Sequence, residues 1–407
     1  MSRAAPAPRL AGTRLAATLL TTPALAAQAS SPAEHPSADP TIWTVPACHR
    51  PAASAVTATF VPDRANDIDL TSFDGTRIRA HWFPAPGASS QRPAPTVFYG
   101  PGFGSAGDTD TTAGKIPLLH QAGYNVLTWD PRGFGASEGA AEIDSPMYEA
   151  CDVSHIIDWI ADQSGVALDH RGDPRMGMVG GSYGGGIQWI TAATDCRVDA
   201  IVPQISWNSL LTSLDSHDTF KTGWANLLAL IAAQGGTVDP HVTQTIEQGN
   251  GPDGRWSDAS RRWYADRGPD WLLDRIHDPT LIEQGTVDTL FSLAEADHNY
   301  RALAARGVPV SMLWYCGGHG ICLTDHANSA NDKDPQRAEV AWLNRWVKRD
   351  HTTDTGPAVT LVDQNGIRYG ATHYPVPAGR PLTATGHGTL PPRTALRRRS
   401  TRRPAGR

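Results

Sequence analysis

The feature that most constrains the fold of this chain is an alternation of short apolar runs with amphipathic segments. Four runs rich in β-branched or aromatic residues read as strands, at 96–99, 125–129, 176–179 and 200–205. Between them, apolar residues recur at helical spacing in three segments, at 114–122, 147–161 and 183–193. Parallel strands need such crossover helices, so the pattern predicts an α/β fold with a mostly parallel central sheet and helices on both faces.

Predicted strands precede this alternation, one long segment interrupts it, and further strands and helices follow. Three short strands are predicted before it, at 56–61, 68–73 and 77–83. It resumes with predicted strands at 280–283 and 308–315 and predicted helices at 296–305 and 335–348. Residues 206–279 interrupt it and are rich in Trp and in helix-forming residues. We expect a helical lid insertion there, since insertions at one end of such a sheet build pockets. The alternative is that these Trp residues only fill the core of a helical subdomain.

Composition narrows the class of protein. The chain has 407 residues, of which 40% are hydrophobic and 19% are charged, which is ample for a large core. Its net charge is −6, but residues 1–26 and 390–407 carry ten Arg and no acid, so the remainder has 25 basic against 41 acidic residues. This excess of acidic residues between the two ends argues against nucleic-acid binding. We therefore expect an enzyme or a small-ligand binding protein without a membrane span.

The amino terminus is typical of a secretory signal. Residues 1–27 contain three Arg, an apolar stretch at 15–20 and a small-x-small pattern that ends at Ala26. The apolar stretch is too short to cross a membrane. We expect export to the cell envelope or beyond, the alternative being a disordered leader without a targeting role. Residues 28–55 are polar and Pro-rich and suit a flexible lead-in.

Cysteine usage is compatible with export. The chain has five cysteines, at Cys48, Cys151, Cys196, Cys316 and Cys322. Cys316 and Cys322 are close enough in sequence to bridge, which an oxidising compartment would permit, but unpaired thiols remain an open alternative. There is no CxxC pattern to indicate a zinc knuckle or a redox motif.

A G-x-S-x-G pattern places a candidate nucleophile. It is centred on Ser182, where predicted strand 176–179 gives way to predicted helix 183–193. That context is typical of a nucleophile elbow, in which a sharp turn exposes the serine hydroxyl above the sheet. The alternative is a glycine-rich turn that binds phosphate at a helix N-terminus. No Lys follows, so a P-loop is excluded.

A catalytic serine on such a turn needs an acid and a histidine, in that chain order. Asp288 follows the first strand after the insertion and is the preferred acid, whereas Asp278 precedes that strand and Asp297 lies inside the next predicted helix. His319 follows the last predicted strand within a Gly-Gly-His-Gly segment and is the preferred base, with His326 as the fallback.

Two backbone donors are expected to stabilise the oxyanion. The N–H of Tyr183 follows the nucleophile directly. The second should come from the glycine-rich loop after strand 96–99, where Phe103 is the candidate and Pro101 is excluded because it has no N–H. The alternative is that this segment is a plain glycine-rich loop.

These segments in this order resemble the α/β-hydrolase series. The Ser-Tyr-Gly-Gly run at 182–185 with Gln188-Trp189, and the Gly-Thr-x-Asp-Thr-Leu-Phe run at 285–291, resemble the Xaa-Pro dipeptidyl-peptidase and cocaine-esterase family over residues 56–350. The resemblance implies a serine hydrolase that cleaves amide or ester bonds through an acyl-enzyme. It implies no cofactor and no metal.

The resemblance also assigns roles residue by residue. It makes Ser182 the nucleophile, His319 the general base and Asp288 the group that orients the base. Some relatives donate to the oxyanion from a Tyr side chain in the loop after the third strand, where this chain offers Phe103. A backbone N–H is therefore expected as the second donor, and the preference between ester and peptide is left open.

The carboxyl terminus departs from the family. Relatives continue into a β-sandwich domain, and residues 357–376 look like its opening strands. The Arg-rich tail at 391–407 cannot form a sandwich, because it has few β-branched residues and strong like-charge repulsion. We therefore expect residues 351–390 to be the remnant of a β domain that was lost, for instance through a frameshift. The alternative is a natural basic tail that contacts anionic surfaces.

The sequence thus predicts an exported serine hydrolase that acts on a small peptide or ester. A dipeptidyl-peptidase-like activity is the leading hypothesis, and a carboxylesterase of the same fold is the first alternative. An N-terminal dipeptide would need an anionic clamp for its amine, for which Asp215, Asp218 and Asp239 are available. A non-catalytic hydrolase-like binding protein left by domain loss is the rival from another class.

Overall fold

The fold is described from a computed structural model. The structure describes residues 56–62, 64–323, 333–363, 365–377 and 379. The predicted signal and lead-in at 1–55, the tail at 391–407, Cys48 and His326 lie outside the described residues.

A central sheet dominates the described part of the chain. The strands, in chain order, are β1 Ala58–Phe60, β2 Asp67–Thr71, β3 Arg77–Phe83, β4 Thr96–Gly100, β5 Asn125–Trp129, β6 Leu168–His170, β7 Asp173–Pro174, β8 Met176–Gly181, β9 Ala200–Gln204, β10 Asp215–Ser216, β11 Thr219–Phe220, β12 Thr280–Gly285, β13 Val310–Tyr315, β14 Val359–Val362 and β15 Arg368–Ala371. Eleven of them form one sheet in the order β1-β2-β3-β5-β4-β8-β9-β12-β13-β14-β15. Every neighbouring pair from β5 to β14 in that order is parallel, whereas β1, β2, β3 and β15 pair antiparallel. The mostly parallel sheet expected from the alternation is confirmed.

Helices cover both faces of this sheet. They are α1 Lys115–Gln121, α2 Glu149–Ala161, α3 Tyr183–Thr194, α4 Leu210–Leu214, α5 Thr222–Gly235, α6 Pro240–Gly249, α7 Asp258–Ala265, α8 Leu293–Ala305 and α9 Lys333–Trp346, with a 3₁₀ turn at Leu273–Arg275. Buried residues of α1 and α9, such as Leu119 and Leu343, pack on one face. Buried residues of α2, α3 and α8, such as Ile156, Ile187 and Leu303, pack on the other. The sheet is thus buried on both sides, as its apolar strands require.

The insertion at 206–279 is mainly helical. It holds α4 to α7 and the two-stranded ribbon of β10 and β11. Trp207 and Trp256 are buried in a third apolar cluster, which also includes Phe134 and Tyr183 from the body of the fold. The insertion therefore shares a core with the region around the predicted elbow. Trp271 is partly exposed and lies outside that cluster.

The strands after residue 350 differ from expectation. Residues 357–376 are predicted to be the opening strands of a β domain that is otherwise lost, but β14 pairs parallel with β13 and β15 pairs antiparallel with β14. Both strands therefore extend the central sheet. The physical reason is that β13 offers a free edge, and pairing there buries Val359 and Val362 against the two apolar layers.

Candidate active site

The topology gathers the predicted site residues at one edge of the sheet. Ser182 follows β8 directly, Phe103 follows β4, Asp288 follows β12 and His319 follows β13. These four strands are parallel, so their carboxyl ends meet at the same edge, where ligands bind in open α/β sheets.

Ser182 stands on a strained turn between β8 and α3. Its φ is 56°, in the left-handed region that non-glycine residues rarely adopt. Its N–H donates to the Gln204 carbonyl oxygen at 2.9 Å, and its own carbonyl accepts from the Gly186 N–H at 2.9 Å. The turn therefore presents the hydroxyl at the end of the sheet with a fixed direction, and an observed outlier of this kind supports a functional role.

The elbow depends on close packing of backbone. A Cβ on Gly184 would collide with the carbonyl oxygen of Gly100, at the end of the neighbouring strand β4. Because the colliding atom belongs to the backbone, it cannot move aside cheaply. The absence of a side chain at Gly184 thus lets α3 start directly beside the loop that carries Phe103.

One buried side chain ties the elbow to its neighbours. The Gln188 amide nitrogen donates to the carbonyls of Gly180 at 3.1 Å and Gly184 at 2.7 Å. Its amide oxygen accepts from the Val202 N–H of β9 at 2.9 Å. Gln188 thereby links β8, α3 and β9 at the base of the turn.

Ser182, His319 and Asp288 form a continuous hydrogen-bonded row. Ser182 Oγ lies 2.8 Å from His319 Nε2, and His319 Nδ1 lies 2.8 Å from Asp288 Oδ2. The His319 backbone N–H also donates to Asp288 Oδ2 at 3.1 Å. This is the geometry that a serine nucleophile, a general base and an orienting carboxylate require.

Asp288 is itself held on its other side. Its Oδ1 accepts from the backbone N–H groups of Leu290 at 2.9 Å and Phe291 at 2.8 Å. Its side chain is fully buried, whereas the His319 side chain retains 15% exposure. These hydrogen bonds fix the position of the Asp288 carboxyl group as a partner for the imidazole.

The other two candidate acids are not brought to this row. Asp278 precedes β12, at the opposite end of that strand from Asp288. Asp297 lies in α8 and pairs with Arg301. His326 lies outside the described residues.

The two predicted backbone donors lie beside Ser182. Tyr183 is the first residue of α3, so its N–H belongs to the first turn, whose donors have no acceptor within the helix. Phe103 lines the same pocket as Ser182, and its ring centroid is 5.5 Å from that of Tyr183. No described residue accepts a hydrogen bond from the Phe103 N–H. Both residues thus lie near Ser182, as the prediction of the two donors requires.

The Tyr183 hydroxyl forms hydrogen bonds with two buried residues, through the Glu149 carboxyl group and the Asp144 backbone N–H. The hydroxyl oxygen lies 3.4 Å from Glu149 Oε1 and accepts from the Asp144 N–H at 3.4 Å. Burial raises the pKa of Glu149 to about 7, and it also raises the pKa of Asp144. This network anchors the Tyr183 ring, so that the first turn of α3 is held at its side chain as well as at its backbone.

An apolar pocket opens at Ser182. Its remaining lining residues are almost all aliphatic or aromatic and come largely from the insertion: Phe103, Ile143, Tyr183, Trp207, Leu210, Leu214, Phe220, Ala225, Leu228, Val242, Ile246, Trp256, Tyr264, Leu290 and Phe291. The three acids considered as an amine clamp do not line it. Such a pocket suits an apolar group next to the scissile carbonyl.

The insertion also reaches the acid and histidine loops. Trp224 of α5 lies edge-on to the His319 ring, with centroids 5.8 Å apart, and its indole N–H donates to Thr289 Oγ1 at 3.1 Å. Lys221 donates to the carbonyls of Thr289 and Leu290 at 3.1 and 2.8 Å. Sequence reasoning missed these contacts, because nothing in the alternation indicates where an insertion docks.

Two cysteines bracket the histidine. Cys316 and Cys322 form a disulfide, and His319 lies midway between them. Cys196 is also disulfide-bonded, whereas Cys151 is a free, half-buried thiol. The structure thus contains the bridge that the sequence offered as one of two possibilities for these cysteines.

Among the described residues, no group of three or more His, Cys, Asp or Glu side chains could hold a metal ion. No helix in the same ranges is long and apolar enough to cross a bilayer.

The fold and the site define an α/β-hydrolase. Structures that share this fold include a CocE/NonD family hydrolase from Staphylococcus aureus, with a TM-score of 0.55 and 16% identity, covering 79% of this chain and 60% of that one. A puromycin-hydrolyzing peptidase from Mycobacterium tuberculosis has a TM-score of 0.50 and 17% identity, covering 72% of this chain and 39% of that one. At these identities the likeness shows the fold alone.

The sequence places the chain within this class. A model of the X-Pro dipeptidyl-peptidase (S15) family matches residues 74–321, and the chain belongs to that family. Dipeptidyl aminopeptidase BIII of Pseudoxanthomonas mexicana is 28% identical over 251 residues, which cover 59% of this chain but only 32% of that relative. The predicted fold and family are thus confirmed. The shared region is about a third of the relative, so that protein's substrate does not carry over by alignment.

Proposed function

We propose that the protein is an exported serine hydrolase that cleaves amide or ester bonds through an acyl-enzyme. The observation that supports this most directly is the row from Ser182 Oγ through the His319 imidazole to Asp288 Oδ2, with 2.8 Å at each step. It stands at the mouth of an apolar pocket, where a substrate carbonyl could meet the hydroxyl.

In the proposed reaction, His319 Nε2 takes the Ser182 hydroxyl proton while Oγ attacks the carbonyl carbon. The N–H groups of Tyr183 and Phe103 then receive the oxyanion, a contribution that typically amounts to a few kcal/mol per donor. Asp288 keeps Nδ1 protonated and stabilises the imidazolium. His319 returns its proton to the leaving amine or alcohol. A water molecule, activated by the same imidazole, later releases the acyl group and restores Ser182.

Family membership favours a peptide substrate with an N-terminal Xaa-Pro unit. The apolar pocket can receive a prolyl ring next to the scissile carbonyl. Release of such a dipeptide would make the enzyme an aminopeptidase that removes two residues at a time.

An ester substrate is the second candidate, and a specific observation favours it. The three carboxylates available for an amine clamp are engaged elsewhere: Asp215 and Asp218 pair with Arg261, and Asp239 caps α6 through the His241 N–H. A small ester with an apolar acyl group needs no such clamp.

A covalent probe tests the nucleophile. We expect the full chain to gain the mass of one fluorophosphonate adduct and Ser182→Ala to gain none. Failure of the folded protein to react would contradict an assembled triad. If ligand were bound without turnover in both forms, the non-catalytic alternative would replace this proposal.

Matched substrates then separate the two candidates. We expect an Xaa-prolyl anilide to be cleaved much faster than the same anilide with its amine acetylated if the enzyme is a dipeptidyl-peptidase. Equal rates on both anilides, together with faster cleavage of short-chain aryl esters, would favour the esterase.

The position of the amino terminus of the expressed protein tests the proposed export. We expect expression with residues 1–27 in place to give a secreted or envelope-bound protein whose amino terminus lies just after Ala26. An uncleaved protein retained in the cytoplasm would contradict this part of the proposal. The disulfides at Cys196 and Cys316–Cys322 support it, because such bonds persist in oxidising compartments.

A further inference from the structure

The loop that carries His319 has a rigid entry. It leaves the sheet at Tyr315, the last residue of β13, and Cys316 follows at once with only 6% exposure. The strand is paired on both sides, with β12 and with β14. The position of Cys316 is therefore fixed by the body of the fold.

Beyond Cys316 the backbone of the loop is intrinsically flexible. Three of the next four residues are glycines, which leave the backbone its greatest conformational freedom. On the far side of His319, Ile321 and Leu323 are 82% and 90% exposed, so hydrophobic packing does not fix the return of the loop. Besides the triad contacts, the described residues hold the loop through a hydrogen bond from the Val287 N–H to the Gly317 carbonyl at 3.3 Å and through edge-on contacts of the Trp224 and Phe291 rings with the His319 ring.

The disulfide adds a covalent restraint to this loop. The Cys316–Cys322 bond joins the far side of the loop to its rigid entry, with Cα atoms 5.6 Å apart. His319 lies three residues from each end of the closed ring. A loop this short changes the entropy of the whole unfolded chain less than a long one does, so the main effect of the bond falls on the local conformations of the loop.

We infer that the Cys316–Cys322 disulfide is a positioning element for the general base, and that hydrolysis depends on the bond being oxidised. The inference rests on the proposed function, since it concerns the same His319. Neither cysteine touches the reacting atoms. The bond acts by keeping the imidazole within hydrogen-bond reach of both Ser182 Oγ and Asp288 Oδ2, and misplacement of a catalytic group by about 1 Å can lower a rate by about 100-fold.

A reductant can reach the bond. The two cysteines line a polar surface cavity together with Lys115, Gln204 and Gln336. Dithiothreitol would attack one sulfur as a thiolate and then close on itself. The protein disulfide gains two electrons and two protons to become two thiols, and the reagent is oxidised to its cyclic disulfide.

The test compares the full chain with two variants, each assayed oxidised and after dithiothreitol. Cys316→Ser/Cys322→Ser removes the bond, and Cys196→Ser is the matched control because it removes a disulfide-bonded cysteine just beyond the other end of α3. We expect reduction to lower kcat and fluorophosphonate labelling of the wild type by about 10–100-fold, with KM changed less than about twofold. The double variant should show that low rate without dithiothreitol, and dithiothreitol should not change it. Cys196→Ser should behave as the wild type.

Hydrogen exchange gives a readout that does not depend on turnover. The His319 N–H donates to Asp288, so we expect peptide 316–323 to exchange faster after reduction and in the double variant, while the melting temperature moves little. Unchanged kcat and unchanged exchange after complete reduction, verified by mass, would overturn the inference. An oxidised wild type that does not react with the probe would instead refute the proposed function, and the exchange data would still decide whether the bond positions His319.

Discussion

The turn that carries Ser182 and the loop that carries His319 are stabilised in different ways. The Ser182 turn is surrounded by backbone: Gly184 touches the Gly100 carbonyl, and Gln188 binds two strands and a helix. The His319 loop projects from one strand, and its far side is exposed at Ile321. Dense backbone packing stabilises the first, whereas a few hydrogen bonds, two edge-on ring contacts and one disulfide stabilise the second.

This difference teaches where each part of the site is vulnerable. A change in the Ser182 turn must disturb the central sheet, so its effects on activity and on stability should coincide. A change in the His319 loop can displace the imidazole while the core stays packed, so activity should fall without a matching loss of stability. The predictions below test that separation, from the largest expected effect on activity to the smallest.

Gly184→Ala should have the largest effect. The new Cβ would collide with the Gly100 carbonyl oxygen, which is backbone and cannot yield without moving β4 from β8. We expect a loss of about 2–4 kcal/mol in the free energy of unfolding, together with loss of probe labelling. Urea unfolding and labelling of the same sample measure both.

Gly223→Ala is the control for the glycine change. Gly223 lies in α5 with open space around the position of a Cβ, so Ala should be tolerated and should stabilise the helix slightly. If Gly184→Ala were as stable and as active as this control, the Ser182 turn would not depend on close backbone packing.

Asp288→Asn should separate activity from stability. An amide group would face the two donors of His319, the backbone N–H and Nδ1, so the imidazole would turn or change tautomer. We expect kcat to fall by about 1,000-fold while the urea midpoint changes little. Asp297→Asn in α8 is the control, since that carboxylate pairs with Arg301 on the surface and should leave kcat unchanged. An equal fall in both variants would contradict the assignment of the acid.

Trp224→Leu should have a moderate effect. It removes the edge-on contact with the His319 ring and the hydrogen bond to Thr289, but it leaves the triad itself intact. Contacts of this kind contribute about 0.5–1.5 kcal/mol, which corresponds to a two- to tenfold fall in kcat/KM. Trp271→Leu, in the same insertion and outside the pocket lining, should have no effect on kcat/KM. Identical kinetics for the two variants would show that α5 does not support the base.

The same contrast explains what could be predicted from the sequence. The β–α alternation is local, and strands such as Arg77–Phe83 and Asn125–Trp129 appear where the apolar runs indicated them. Chain order then sufficed to bring Ser182, Asp288 and His319 to one sheet edge. The docking of Trp224 on His319 is a long-range contact with no local signal.

The carboxyl-terminal strands show a second limit of the sequence. Their alternation at 357–376 predicted strands, but it did not indicate which edge they would join. A strand pattern specifies which face is buried, whereas its neighbour is decided by the free edge that the rest of the fold offers. Pairing of β14 with β13 therefore had to be read from the structure.

Glu283→Gln should affect stability alone, and only at higher pH. Glu283 lies in β12 behind the Ser182 turn, facing Gln204, Lys115 and Glu339, and burial raises its pKa from the ordinary 4.5 to about 8. The folded state thus holds a proton that the unfolded state releases near pH 4.5, so the contribution of Glu283 to stability is complete below that pH and is lost as the pH rises toward 8.

Glutamine cannot lose a proton at this position, so the variant should escape that loss. We expect the free energy of unfolding of the wild type to fall, relative to Glu283→Gln, by an amount on the order of a few kcal/mol between pH 5 and about 8. Urea unfolding at pH 5, 7 and 8.5 measures it, with the exposed Glu138→Gln as the control for the amide change. Parallel pH curves for all three proteins would mean that Glu283 is already ionised in the folded state. The region behind the Ser182 turn would then contain a buried carboxylate whose charge is balanced by Lys115.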